Sequence, residues 1–203
     1  KAIDTSKTLN KTFGMFIGRS SWDRLLIASH LYHNYRSISL QTYRTYLNNP
    51  ANLLHLDIER LLWHASAANK LQHVGSHLIE STAAFIKRLP LLIDNGHHGK
   101  THIQWNAGAV GDDILGWYKN IFVDIVCEKM LTGKTFFPTE KIARPIITQT
   151  PFIIMGSVNF LSNLKELGFK TFSSFWNEDY DYQHGLQRAN AIKDLIDKIS
   201  KKD

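Results

Sequence analysis

The stretch "IFVDIVCEKMLTGKTFFPTEKIARPIITQTPFIIMG", residues 121–156, decides the fold class of this chain. It opens with a β-branched apolar run typical of a buried strand, and it closes with a second apolar run that ends in glycine. Between them, Thr139 is a good N-cap, so we expect a helix that begins with Glu140 and Lys141 and contains Pro145. Strand, helix and strand joined by short links predict two parallel neighbours in one sheet.

The segments on either side extend this alternation. "TFGMFIG" (12–18) predicts a buried strand, and "SSWDRLLIASHLYHNY" after it predicts a helix that Ser20 or Ser21 can cap. "SISL" (37–40) is a candidate second strand. These patterns favour an α/β fold with a parallel, Rossmann-like sheet flanked by helices.

Beyond residue 156, "SVNFLSNLKELG" predicts a helix capped by Ser157 and stopped by Gly168. "FKTF" (169–172) predicts a short strand, and "QRANAIKDLIDKIS" predicts an amphipathic closing helix. We therefore expect a single α/β domain over residues 1–203. Its parts are a helical insertion at 57–88, a long loop at 89–113, and a segment at 114–203 that holds the candidate site and the closing helix.

Composition narrows the class of protein. The net charge of +6 and pI of about 9.4 favour anionic partners, namely nucleic acid, phosphorylated small molecules or acidic surfaces. The single cysteine excludes an internal disulfide and fits a reducing compartment, so we expect a cytoplasmic protein. The sequence contains no apolar run long enough to span a membrane, and no Walker loop, dinucleotide fingerprint or Gly-x-Ser-x-Gly elbow.

Ligands of parallel sheets bind beyond the carboxyl ends of the strands, where three loops should converge: 18–22, 127–141 and 156–159. They bring together the charged and hydroxyl side chains of Arg19, Arg24, Glu128, Lys129, Lys134, Glu140, Lys141 and Ser157. A lysine in the first turn of a helix is mildly unfavourable, which indicates an anionic ligand at Lys141. The alternative is that Glu140 complements the helix dipole and Lys141 is a solvated charge.

"TEK" at the start of a helix, followed by "PFIIMG", resembles the donor-site segment of fucosyltransferase-like glycosyltransferases. The resemblance covers residues 121–188 and, more faintly, "GMFIGRSSWDR". The block "LKELGFKTFSSFWNEDYD" is also similar to uncharacterised phage and bacterial proteins. Where the family has Glu-Asn-Ser after the first strand, this chain has Glu128-Lys129-Met130, which leaves both the donor sugar and the nucleotide base open.

The resemblance implies the C-terminal, donor-binding domain of a two-domain GT-B fold; the N-terminal, acceptor-binding partner domain is then either upstream of Lys1 or absent. It implies that the donor is a nucleotide-diphosphate sugar, that the acceptor is unknown and that no cofactor is used. In the family, the lysine of the motif contacts the diphosphate, the glutamate contacts the ribose and an arginine binds phosphate. The positions that match are Lys141, Glu140, and Arg19 or Arg24, while Thr139, Gly156 and Ser157 complete the donor site.

Candidate catalytic and metal-binding residues are few. Glu128, His97 and His98 are candidates for a catalytic base, and the only Asp-x-Asp-like stretch is "DYD" (179–181), which we interpret as a cap between a strand and the next helix. We therefore expect a metal-independent reaction. The histidine pairs 30/33 and 73/77 have the spacing of metal ligands but no accompanying carboxylate pattern, and we expect them to be structural, as we expect of Cys127.

Two other functions remain open. The basic composition and the interleaved lysine, arginine and aromatic residues fit an α/β nucleic-acid-binding module. An enzymatically inert interaction protein that keeps only the fold is the third possibility.

Overall fold

The computed structural model describes residues 6–18, 20–43, 76–91, 93, 112–131 and 133–201. Its four strands form one parallel sheet in the order β2-β1-β3-β4: β1 Lys11–Ile17, β2 Ser39–Tyr43, β3 Ile121–Cys127 and β4 Phe152–Met155. The helices are α1 Trp22–Tyr35, α2 Ser76–Ile86, α3 Asp112–Trp117, α4 Glu140–Ile147, α5 Phe160–Glu166 and α6 Gly185–Ile199. Two short 3-10 helices lie at Arg36–Ile38 and Asp179–Tyr182.

Strands β3 and β4 are buried on both faces, as expected of a parallel sheet flanked by helices. In β3 every residue except Phe122 is buried, and all four residues of β4 are buried. The closing helix α6 adds the apolar stripe of Ile192, Leu195, Ile196 and Ile199 to the same core. The predicted α/β class with a parallel sheet is confirmed.

Helix boundaries follow local capping chemistry. Ser21 caps α1 by accepting a hydrogen bond from the backbone N–H of Arg24 at 3.4 Å. Thr139 caps α4 in the same way for Lys141 at 3.3 Å, which confirms the predicted start of that helix. Gly168 follows α5 with a φ of +88°, the left-handed conformation that a helix stop favours.

Three local predictions are wrong. "FKTF" forms no strand: Phe172 instead packs edge-on against Phe152 of β4 and stacks with Trp176. The second strand begins at Ser39 rather than residue 37, because residues 36–38 form a 3-10 turn. Ser157 is not the cap of α5, which starts at Phe160 after a left-handed N-cap residue, Asn159, with a φ of +62°.

Parts of two predicted segments lie outside the described residues. Within the expected helical insertion at 57–88, the described part is α2, which packs against α1. The expected loop at 89–113 overlaps the start of α3, and residues 92 and 94–111 are not described.

The outer edge of β2 is paired at its last residue, Tyr43, with Leu91 from the segment that follows α2. Tyr43 and Leu91 form an antiparallel bridge with two backbone hydrogen bonds, of 2.8 and 3.0 Å. In the described ranges, every helix falls short of the length and apolarity that crossing a membrane requires.

Candidate functional site

The strand order places a topological switch point between β1 and β3. The chain leaves β1 towards β2 on one side of the sheet and leaves β3 towards β4 on the other. Loops that diverge in this way leave a crevice at the carboxyl ends of the strands, where ligands of open α/β sheets bind. The candidate residues that follow β1, β3 and β4 therefore share one edge of the molecule.

Glu128 connects the end of β3 to the start of α4. Its side chain is fully buried, and its carboxylate accepts hydrogen bonds from the backbone N–H of Thr139 at 3.0 Å and from the Thr139 hydroxyl at 2.5 Å. A carboxylate at this position also complements the positive end of the helix dipole. Glu128, a candidate base in the sequence, is thus engaged in fixing the loop to the helix.

Glu140 and Lys141 form an ion pair at the N-terminus of α4. The Lys141 Nζ lies 2.8 Å from Glu140 Oε1 and 3.2 Å from the Thr139 hydroxyl. The side chain of Lys141 is 19% exposed and that of Glu140 is 32% exposed. Burial raises the pKa of Glu140, but the hydrogen bond and charge of Lys141 outweigh it and hold that pKa below its ordinary value. Both charged groups remain accessible at the carboxyl edge of the sheet.

Arg24 is turned inward rather than towards the crevice. It is buried, and its guanidinium donates hydrogen bonds to the backbone carbonyl of Glu128 at 2.5 Å and to that of Cys127 at 3.4 Å. Arg24 therefore fastens α1 to the end of β3 in this structure. Arg19, the other arginine of the predicted site, lies outside the described residues.

The loop after β4 is held by residues far along the chain. The buried Arg188 of α6 donates to the carbonyl oxygens of Gly156, Ser157, Tyr180 and Asp181. The carboxylate of Asp181 accepts from the backbone N–H groups of Leu161 and Ser162 at 3.1–3.2 Å, and so it caps α5. "DYD" thus supplies a helix cap, but it does not link a strand to the next helix as predicted: it forms a 3-10 turn, and the helix that it caps precedes it.

Gly156 and Ser157 are interior residues of this loop. A Cβ on Gly156 would lie 2.7 Å from Cδ2 of Phe160, so glycine is required by close packing. The Ser157 hydroxyl is buried and has no hydrogen-bond partner among the described residues. The loop meets its neighbour where the N–H of Val158 donates to the carbonyl of Gly133 at 3.3 Å.

The remaining candidates take structural positions or are not described. Cys127 is buried, and burial raises the pKa of its thiol to about 12, so it is held as a thiol. His30 bonds to Asp197 at 2.6 Å and His33 to the carbonyl of Ser81 at 2.9 Å. His97 and His98 lie outside the described residues, within which no cluster of potential metal ligands occurs.

A buried polar group behind α4 was missed by sequence reasoning. Asp124 lies in the middle of β3, is almost fully buried and accepts a 2.6 Å hydrogen bond from the Tyr118 hydroxyl. Burial raises the pKa of Asp124 to about 7, despite the opposing effects of Tyr118 and of the Arg144 charge. The signal in the sequence is a single aspartate inside an otherwise apolar strand.

Comparison of the chain with models of known protein families, with curated proteins and with solved structures yields no match.

Proposed function

We propose that this chain is the donor-binding domain of a metal-independent glycosyltransferase, which takes a nucleotide-diphosphate sugar and transfers the sugar to an acceptor. One observation carries the proposal: Glu140 and Lys141 stand, partly exposed, at the N-terminus of α4 on the carboxyl edge of a parallel sheet. That edge is where open α/β sheets bind nucleotides, and a helix N-terminus favours phosphate.

The chemistry of the pair suits such a donor. Departure of the diphosphate places negative charge on its oxygens, and a fixed ammonium beside a helix N-terminus stabilises that charge. In the proposal Lys141 exchanges its contact with Glu140 for the diphosphate. The Glu140 carboxylate then accepts hydrogen bonds from the ribose hydroxyls.

The other predicted residues divide between ligand contact and support. Arg24 and Glu128 bond to the backbone and support the loop, so in the proposal Arg19 is the arginine that contacts phosphate. Gly156 and Ser157 form the loop beside the nucleotide. The catalytic base is supplied by His97, by His98 or by the N-terminal partner domain, which binds the acceptor in such folds.

Isothermal titration calorimetry with UDP and with GDP tests the proposal. We expect one of the two to bind, and we expect Lys141→Ala to weaken that binding about 10- to 100-fold, since a charge-assisted contact to phosphate is lost. Lys170→Ala is the matched control, because Lys170 is an exposed lysine that follows α5 and belongs to none of the three site loops. Equal binding by the wild type and Lys141→Ala would contradict the assigned site.

The net charge of +6 supports nucleic-acid binding as the second candidate function. The same preparation is therefore titrated with a short duplex at several salt concentrations. Salt-sensitive binding of the duplex together with no response to either nucleotide would favour that candidate over the transferase. If none of the three ligands binds, an enzymatically inert interaction protein becomes the favoured function.

A further inference from the structure

Two neighbouring loops at the carboxyl edge of the sheet are built on the same plan. In each, a buried arginine from a flanking helix donates to backbone carbonyls at the end of a strand. In each, an acidic residue whose carbonyl the arginine holds also uses its carboxylate to fix the start of the helix that follows the strand. Glu128 lies in the loop itself, whereas Asp181 lies in the 3-10 turn Asp179–Tyr182. We call Arg24 with Glu128 the first clamp, and Arg188 with Asp181 the second clamp.

The first clamp fixes the loop between β3 and α4. Arg24 holds the carbonyl of Glu128 at 2.5 Å, and the Glu128 carboxylate holds the N–H and hydroxyl of Thr139 at 3.0 and 2.5 Å. Thr139 in turn caps the helix that begins with Glu140 and Lys141. The position of the candidate ligand-binding pair is thus set by a chain of contacts that begins at α1.

The second clamp fixes the loop between β4 and α5. Arg188 bridges this loop to the 3-10 turn by holding the carbonyls of Gly156 and Ser157 together with that of Asp181, the last at 2.6 Å. The Asp181 carbonyl accepts from the N–H of Asn159 at 3.0 Å, and its carboxylate accepts from Leu161. The contacts of Arg188 with Gly156 and Ser157, and those of Asp181 with Asn159 and Leu161, join residues 20 to 32 positions apart in sequence.

Buried charges of this kind add little net stability, because removing them from water offsets much of what their contacts return. Burial lowers the pKa of Arg188, because removal from water disfavours the charged form of its guanidinium. Their effect is instead to define one backbone conformation, since a guanidinium presents its donors in a fixed fork. Two such clamps act on adjacent loops at the carboxyl edge of the sheet.

We propose that Arg24 and Arg188 are paired positioning residues, each holding one loop of the crevice in the shape that receives the ligand. The inference rests on the proposed function for the nature of that ligand, a nucleoside diphosphate. The part of the inference that concerns the rigidity of the loops is independent of the proposed function, because hydrogen exchange is measured without ligand.

The test uses Arg24→Lys and Arg188→Lys, which keep the charge but lose the fork of donors. Arg36→Lys is the control, since Arg36 is exposed on the 3-10 turn before β2. Amide hydrogen exchange is followed by NMR at Thr139 for the first clamp and at Leu161 for the second. Ile153, in the centre of β4, reports global opening.

We expect Arg24→Lys to speed exchange about tenfold at Thr139 alone and Arg188→Lys to do so at Leu161 alone, with Ile153 unchanged. Exchange that rises equally at all three amides, or at none, would overturn the proposal. UDP or GDP binding is measured at a temperature where every variant is folded, and each lysine variant should bind about tenfold more weakly than Arg36→Lys.

The two proposals fail in different ways. If the wild type binds neither nucleotide, the proposed function fails, and the exchange pattern still decides whether the arginines hold the loops. If a nucleotide binds equally well to the wild type and both clamp variants, the arginines are not positioning residues, while the assignment of the nucleotide ligand stands.

Discussion

Replacement of Asp124 by asparagine should remove a large part of the pH dependence of stability. Asp124 is buried in the centre of the sheet, where it pairs with Gly14 and Phe152 on the neighbouring strands, and the Tyr118 hydroxyl bonds to its carboxylate. Asparagine keeps an acceptor oxygen for Tyr118 and does not titrate. The difference in unfolding free energy between wild type and variant therefore isolates the carboxyl group.

The sign follows from the raised pKa. Burial raises the pKa of Asp124 from 3.8 to about 7, so between these values the folded protein holds a proton that the unfolded chain has released. The stabilisation is complete below the unfolded pKa and is lost as the pH rises through about 7. Each pKa unit corresponds to about 1.4 kcal/mol, which makes the total about 4 kcal/mol, of which about 3 kcal/mol disappears between pH 5 and pH 8.

The assay is urea unfolding, followed by tryptophan fluorescence, at half-unit steps from pH 5 to pH 8 and at constant ionic strength. The wild-type free energy of unfolding minus that of Asp124→Asn should fall from pH 5 to about pH 7 and then level off, because above pH 7 the carboxyl group is ionised in both states. Asp179→Asn, which replaces an exposed carboxylate by the same amide, is the matched control. A flat difference for Asp124→Asn would refute the reasoning, because it would mean that the carboxylate is ionised throughout, stabilised by Arg144.

Three further substitutions test packing and backbone by urea unfolding. Gly156→Ala should cost about 1–3 kcal/mol, because its Cβ would lie 2.7 Å from the ring of Phe160; an unchanged midpoint would contradict this contact. Ile192→Ala on the buried stripe of α6 should cost about 2–5 kcal/mol, and a loss below 1 kcal/mol would mean that the helix is poorly docked. Gly168→Ala should cost about 1–2 kcal/mol because its φ is +88°, whereas Gly116→Ala, with open space around it, should not.

The sequence predicted the fold well where local pattern and tertiary structure agree. The strands at 121–127 and 152–155 are continuous apolar runs, and α4 begins at a residue that caps helices strongly. The closing helix showed its apolar stripe at the correct spacing. In these elements the local preference and the buried face point to the same structure.

The predictions failed where distant residues determine local structure. Ser157 has the chemistry of a cap, but Asp181 supplies the capping carboxylate to α5 from 20 residues further along the chain. The apolar run at 169–172 has the composition of a strand, yet Phe172 is engaged with Phe152 and Trp176. Neither outcome can be deduced from spacing, because both depend on contacts that exist only after folding.

The same limit applies to the candidate site. The motif placed Glu140 and Lys141 correctly at the mouth of α4, since capping and dipole preferences are local. It did not reveal that Arg24 and Glu128 bond to the backbone, because a charged side chain looks the same in sequence whether it faces solvent or a carbonyl. The contacts of Arg188 with backbone carbonyls could not be predicted for the same reason.

The bridge between Tyr43 and Leu91 has a consequence for how the protein behaves at high concentration. An uncovered strand edge offers unpaired N–H and C=O groups to another chain and promotes aggregation. Here Leu91 bonds to Tyr43, the last residue of β2, in both directions and so occupies hydrogen-bonding groups at that end of the strand. Proteolytic cleavage near Leu91 would therefore expose unpaired backbone groups at this end of β2. On heating, the cleaved protein should aggregate before it unfolds.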